Sequence, residues 1–257
     1  NERLELEARM RRGLTQGEFV LHYQPQLDMK TGALIGCEAL VRWNTPEEGM
    51  ISPARFIPLA EETGLIVPLG EWVLQTACAQ ARTWLDAGYP PLLMAVNLSV
   101  RQLQQRDVVK RIAIILAQAG LPASHLKLEL TESMIMGQGE KAIDLLHAIK
   151  ALGVSLSIDD FGTGYSSLAY LKRFPIDEVK IDQGFVRDIP HDTSDMEIAS
   201  AIIGMAHGLK LKVMAEGVET EAQLHFLARQ GCHAYQGFLF SRPVPEDEFV
   251  RFFKHPV

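Results

Sequence analysis

Side chains that bind hard cations recur along this chain at the ends of short β-rich runs. Glu38, Asn97, Glu129, the adjacent pair Asp159-Asp160, Glu216 and Gln236 form the series, and Lys180 is the one cation among them. Any one of these could be a solvated rim residue. As a set they bring five carboxylates to one place, and like charges that close cannot all ionise without cations. Divalent ions resolve the conflict, and carboxylates joined by an Asn carbonyl select hard ions such as Mg²⁺ or Mn²⁺. Adjacent aspartates suit two ions, since one carboxylate can bridge while its neighbour binds one ion alone. Two ions roughly 3.5–4 Å apart clamp the attacking and leaving oxygens of a phosphoryl displacement.

Other chemistries lack their residues. The eight histidines are scattered with no zinc spacing, and neither GxxxxGK[ST] nor GxSxG occurs. The segment Phe161-Gly-Thr-Gly-Tyr-Ser-Ser167 has Ser where the third glycine of a dinucleotide-binding turn belongs. It reads instead as a flexible loop directly behind the paired aspartates.

These residues need strands to aim them. Runs at Phe19–Leu27, Leu34–Trp43, Leu92–Val100, Leu126–Thr131, Val154–Asp159, Glu178–Ile181, Lys212–Ala215 and Ala234–Phe240 read as strands. Parity places the polar residues: Glu129 lies between Leu128 and Leu130, and Lys180 between Val179 and Ile181. Alternate residues face opposite sides of a strand, so if the aliphatics meet helices the polar set points into a barrel mouth. The intervening segments carry helical spacing, as in Ala199, Ile202, Ile203, Ala206 and Leu209, or Leu145, Ile149 and Leu152, or Trp72, Val73, Thr76 and Ala77. Eight strands alternating with helices predict an α/β fold, a (β/α)₈ TIM-like barrel. Only Asp28–Ala33 joins the first two runs, which is hairpin length, so one antiparallel strand is expected near the start.

The 257 residues are 47% hydrophobic and 22% charged, ordinary for one globular barrel. A net charge of −7 argues against a DNA or RNA polymer as partner. Three cysteines, Cys37, Cys78 and Cys232, make no disulfide framework, and no apolar run reaches about 18 residues. A cytoplasmic domain is expected, from a full-length protein that could itself be membrane-anchored. Residues 1–14, rich in charge, read as a connector helix from a longer protein, followed by a single domain over 15–257.

The segment Glu38-Ala-Leu-Val-Arg-Trp43 resembles the signature of the EAL-domain phosphodiesterases, which hydrolyse cyclic di-GMP. The likeness extends through His22-Tyr-Gln-Pro25, Asn97-Leu-Ser99, Glu129-Leu-Thr-Glu132, Asp159-Asp-Phe-Gly-Thr-Gly-Tyr165, Lys180-Ile-Asp182, Ala215-Glu-Gly-Val-Glu219 and Gln236-Gly-Phe-Leu-Phe-Ser-Arg-Pro243. It implies two Mg²⁺ or Mn²⁺ ions, one held by Glu38, Asn97, Glu129 and Asp159, the other by Asp159, Asp160 and Glu216, with Gln236 acting through water. It implies that Lys180 holds the attacking water with Glu216 nearby as a possible base, either of which could take the proton. Glu132 would steady the Asp160–Tyr165 loop, and Glu219 is a similar support. Gln24, Leu40, Arg42, Gln102, Phe238, Phe240 and Pro243 are the implied substrate contacts. Arg42 would fork phosphate oxygens; Phe238 and Phe240, sharing the parity of Gln236, would stack on guanine.

The reading that follows is a hydrolase giving the linear dinucleotide pGpG, with Ca²⁺ inhibitory. It implies a homodimer, and fusion to GGDEF or sensory modules. Two alternatives stand beside it: a catalytically silent cyclic di-GMP receptor, and a barrel glycosidase using two carboxylates.

Overall fold

Alternation of aliphatic and polar residues along each strand decides which side faces the helices. A computed structural model describes residues 2–164 and 168–254; Tyr165, Ser166 and Ser167, part of the loop singled out above, lie outside the described residues, as do Asn1 and residues 255–257. The strands are β1 (Phe19–Asp28), β2 (Leu34–Thr45), β3 (Gly49–Ile51), β4 (Leu93–Asn97), β5 (Leu126–Thr131), β6 (Ser155–Phe161), β7 (Glu178–Ile181), β8 (Lys212–Ala215) and β9 (Ala234–Tyr235). Going round the sheet the order is β1, β9, β8, β7, β6, β5, β4, β2, and pairing of β1 with β2 closes it into an eight-stranded barrel. All neighbours are parallel except β1, which runs against both β2 and β9. The turn that reverses β1 is held by Asp28, whose carboxylate accepts from the amides of Lys30 and Thr31 at 3.0 and 2.8 Å. The short β3 was not expected; it folds back on β2 outside the barrel.

Helices α1 (Glu2–Gln16), α2 (Pro53–Thr63), α3 (Ile66–Asp86), α4 (Val100–Leu103), α5 (Val108–Ala119), α6 (Glu132–Met136), α7 (Glu140–Lys150), α8 (Leu168–Leu171), α9 (Thr193–Gly208), α10 (Glu221–Gln230), α11 (Glu246–Phe249) and α12 (Arg251–Lys254) complete the chain. Helix α9 buries Ala199, Ile202, Ile203 and Ala206, the expected stripe. Helix α7 buries Ala142, Ile143, Leu146 and Ile149, a face turned slightly from the one Leu145 suggested. Against these helices lie Leu128, Leu130, Leu156, Ile158, Val179 and Ile181, all essentially inaccessible. Each such side chain contributes about 1.5–3 kcal/mol by leaving water. Helix α1 docks through Leu6 and the fully buried Met10, and Arg9 lies over the Trp43 ring at 5.9 Å.

Two expected strands end early. The run to Val100 stops at Asn97 because Ser99 caps α4: its hydroxyl accepts from the Gln102 amide at 3.2 Å, and the Gln102 side chain returns to the Ser99 amide at 3.0 Å. The run to Phe240 stops at Tyr235 because Gly237 crosses the Val218 backbone, where a Cβ would come within 2.1 Å of the Val218 carbonyl oxygen. The chain then turns, with the amides of Phe240 and Ser241 donating to the Gly237 carbonyl.

Candidate active site

Strand register brings the acidic residues to one height. Asn97 on β4 aligns with Glu129 on β5, and Thr131 on β5 with Asp159 on β6. Glu38 comes from β2, Glu216 follows β8 and Gln236 follows β9. Lys180, fully buried on β7, points its ammonium into their midst. Its Nζ lies 2.7 Å from Glu129 Oε2, 2.7 Å from Glu216 Oε1, 3.2 Å from Glu38 Oε2 and 3.5 Å from Asp159 Oδ1. Asn97 donates to Glu38 Oε1 at 2.7 Å, which leaves its carbonyl oxygen available. Gln236 donates to Glu38 Oε2 at 2.7 Å and to Glu216 Oε1 at 3.3 Å, while its own oxygen accepts from Gln26 at 2.8 Å.

A regular strand would point Asp160 away from Asp159. The β6–β7 register instead shifts between Ile158 and Phe161, and Asp160 adopts φ +52°. This left-handed residue lets both neighbouring carboxylates reach the mouth, and Asp is among the side chains that tolerate the conformation. Oxygen atoms of Asp159, Asp160 and Glu216 lie within 4.8 Å of one another, as do those of Glu38, Glu129 and Asp159.

One ammonium faces five carboxylates here, and their proton affinities record the imbalance. Burial pushes the Glu129 carboxyl up to about 8, helped by Glu38 and Asp159 and opposed by Lys180. Burial, Asp159 and Asp182 push Asp160 up to about 6. Burial also carries Glu216 well above the carboxylate range. Glu38 alone is held low: burial opposes this, but Lys180 and the amides of Gln236 and Asn97 outweigh it. Burial likewise works against charge on Lys180, and the surrounding carboxylates still raise it well above its ordinary value. Glu129 Oε1 is buried and accepts no hydrogen bond. An all-oxygen donor set with excess negative charge and an unused buried carboxylate oxygen fits hard divalent cations.

Above the cluster opens a cavity of about 300 Å³ lined by Gln24, Leu40, Asp160, Glu216, Glu219, Phe238 and Pro243. A second, largely apolar cavity of about 340 Å³ adjoins it, sharing Leu40 and lined by Arg42, Asn97, Gln102, Ile66 and Met134. The expected substrate residues therefore divide: Arg42 and Gln102 border the apolar cavity, and the Gln102 oxygen is spent on its capping box. Phe238 is exposed at the acidic cavity, with the Arg242 guanidinium 4.1 Å over its ring. Phe240 sits differently from Phe238. The strand whose parity paired it with Phe238 ends before it, and its ring packs on Phe252 at 5.2 Å instead of lining the cavity.

Glu132 is 1% exposed, and one of its oxygens accepts from the amides of Gly162 and Gly164 at 3.1 and 3.2 Å. It thus grips the loop after the paired aspartates and is no exposed helix-start acid.

Sequence reading missed the floor of the barrel. Gln26, Lys127, Ser157 and Glu178 are buried one inward position below the acidic set. Lys127 Nζ contacts Glu178 at 2.7 Å and Gln26 at 3.2 Å, and the Ser157 hydroxyl donates to Glu178 at 3.2 Å. Asp182, beside Asp160 in the acidic cavity, was also missed as a site residue. Parity was the available signal: Lys127 stands two before Glu129, Ser157 two before Asp159, and Glu178 and Asp182 two either side of Lys180.

The family model described as EAL domain matches residues 7–243. The chain is 49% identical over 249 residues to the bifunctional diguanylate cyclase/cyclic di-GMP phosphodiesterase MucR of Pseudomonas aeruginosa, covering 97% of this chain and 36% of that protein. It is 48% identical over 256 residues to the cyclic di-GMP phosphodiesterase NbdA of the same organism, with 98% and 33% covered. The solved PaMucR phosphodiesterase in complex with c-di-GMP superposes with a TM-score of 0.93 at 49% identity, covering 95% of this chain and 99% of that one. The chain spans about a third of the length of these two curated relatives.

Proposed function

The chain belongs to the EAL domain family, and from that premise we propose that it is a hydrolase that opens cyclic di-GMP at one phosphodiester to give pGpG. The observation that carries the reading is the buried Lys180 ammonium ringed by carboxylates beneath an open cavity.

Glu38, Asn97, Glu129 and Asp159 would hold one Mg²⁺ or Mn²⁺, and Asp159, Asp160 and Glu216 a second. When bound, such ions polarise the phosphoryl oxygens and make water a better nucleophile. Lys180 orients the attacking water with its ammonium, which Glu129 and Glu216 hold in place. Glu216, whose oxygen lies 2.7 Å from the Lys180 ammonium, is placed to accept the proton that water gives up. The bond from phosphorus to one ribose oxygen breaks, and that oxygen leaves protonated. Phe238 and Pro243 offer one base an apolar wall in the acidic cavity, and the apolar cavity beside Leu40 can take the other base. Glu132 keeps the Asp160 loop in register.

The test is incubation of the protein with cyclic di-GMP and Mg²⁺, followed by product separation, with EDTA as the control. EDTA-sensitive pGpG is expected. Tight binding without turnover would make the domain a receptor, and metal-independent cleavage would overturn the cation assignment. Ca²⁺ prefers oxygen distances of about 2.3–2.6 Å against about 2.0–2.1 Å for Mg²⁺. It should permit calorimetric binding of cyclic di-GMP yet suppress pGpG, and equal turnover in the two ions would defeat this. Within a longer protein the domain would act beside GGDEF or sensory modules on the cytoplasmic side. A homodimer through the loop near Asp160 is proposed with it, with sedimentation velocity as its check. Among the described residues no helix is long and apolar enough to cross a membrane.

A further inference from the structure

The acidic set rests on a second polar layer whose geometry bears on how Glu129 meets a cation. Lys127 and Glu129 are two residues apart on β5, so both side chains enter the barrel from the same strand face. Lys127 is 2% exposed, and its ammonium is drawn downward to Glu178 at 2.7 Å and sideways to the Gln26 oxygen at 3.2 Å. It stops 3.9 Å short of Glu129 Oε1, beyond hydrogen-bond range. That oxygen is buried and accepts no hydrogen bond, an expensive arrangement unless a ligand uses it. The other oxygen of Glu129 is already taken by Lys180 at 2.7 Å. Gln26 is in turn fixed by its own donation to Gln236, which contacts Glu38 and Glu216.

Resting on the metal-dependent reading above, we propose that Glu178 and Gln26 tether Lys127 off Glu129, keeping Glu129 Oε1 open for a divalent cation. Glu178 and Gln26 are positioning residues in this scheme: they touch neither substrate nor cation and act through Lys127. Weakening the tether lets a buried ammonium, with few acceptors left, move the short distance onto Glu129. Ammonium and cation then compete for the same oxygen.

The test uses the metal-stripped protein and Mn²⁺ titration by calorimetry, with melting temperature recorded for each variant. Glu178→Gln keeps an acceptor for Lys127 but removes the charge that restrains it. It is expected to fold and to bind Mn²⁺ about 10–100-fold more weakly, as for other groups that orient metal ligands. Its kcat at limiting Mn²⁺ should fall and recover at saturation, with KM for cyclic di-GMP unchanged. Adding Lys127→Met removes the competitor and should return Mn²⁺ affinity toward the wild-type value. Wild-type Mn²⁺ binding by a folded Glu178→Gln protein overturns the tether, as does a double variant as weak as the single one. Should Glu178→Gln fail to fold, Gln26→Leu decides, since it cuts the second tether without touching the ion pair. Because Gln26 also fixes Gln236, weaker Mn²⁺ binding there supports the proposal only where adding Lys127→Met restores it; unchanged binding, or a loss that Lys127→Met does not restore, overturns it. Wild-type protein that takes up no Mn²⁺ at all would instead overturn the metal-dependent reading on which the tether rests.

Discussion

Asp160 owes its place in the site to one backbone torsion. At φ +52° it breaks the alternation of β6 and lets two consecutive carboxylates share a mouth. Asn tolerates the same left-handed conformation, so Asp160→Asn removes a charge without forcing the loop to rearrange. Turnover of cyclic di-GMP should fall by more than the roughly 10–100-fold typical of groups that only support a ligand. The melting temperature should stay near wild type, and a variant turning over at the wild-type rate would remove Asp160 from the reaction. Lys180 presents the opposite case, one cation among five carboxylates. It is too deeply buried to serve as a phosphate anchor reached from the cavity, so its charge acts on the group placed above it. Lys180→Ala, assayed with saturating Mg²⁺, is expected to lower kcat by about 10²–10³-fold with a modest change in KM. A large loss of binding with kcat preserved would reverse that assignment.

Elements explain which parts of this site were legible in sequence and which were not. Leu128-Glu129-Leu130 and Val179-Lys180-Ile181 announce their facing because strand alternation is a local property. The same rule does not extend to Phe238 and Phe240 as one strand face, because β9 ends at Tyr235 where Gly237 meets the Val218 backbone, a contact between distant segments; Phe238 still lines the acidic cavity. Parity also pointed at Lys127 and Glu178, yet a buried lysine looks improbable until its partner on another strand is seen. The loop after β6 shows how an element is held. Gly162 has φ +99° and lies so close to the Phe185 ring that a Cβ would come within 2.8 Å, and Glu132 from α6 binds the amides of Gly162 and Gly164. Glu132→Ala releases that loop while leaving each proposed ligand in place. Activity should drop about 10–100-fold, and excess Mg²⁺ should restore part of it, read from initial rates across a Mg²⁺ series. A loss that no Mg²⁺ concentration relieves would mean that Glu132 does more than hold the loop.

The whole barrel is needed to assemble the cluster. Gln236 reaches Glu38 across 198 positions of chain, and the antiparallel seam of β1 with β9 brings Gln26 to Gln236 across 210. A cation bound there is bound by the folded state alone, so its affinity appears directly as stability. Protons compete with it. Glu129 is pushed up to about 8 and Asp160 up to about 6, so both hold protons in the folded protein at pH values where the unfolded chain has lost them. The sign follows from linkage. For each group the stabilising, protonated contribution is complete below its unfolded pKa and is lost as pH rises through its folded one. The metal-free fold thus gives up stability from these two groups as pH climbs toward about 8. The half-buried His22 and His233 act the other way, since burial lowers both, so the metal-free melting curve alone mixes the two effects. Neither histidine belongs to the carboxylate groups that could hold an ion, so the difference between melting temperatures with and without Mg²⁺ isolates the cluster. Below pH 6 the ion must displace protons from both carboxyls, between 6 and 8 still from Glu129, and throughout from Glu216, which burial also carries above the carboxylate range. The Mg²⁺-induced rise in melting temperature should therefore grow from pH 5.5 to about 8. Scanning calorimetry at fixed Mg²⁺ across that range measures it. An increment that stayed flat or shrank with pH would show that protons and cation do not share these oxygens.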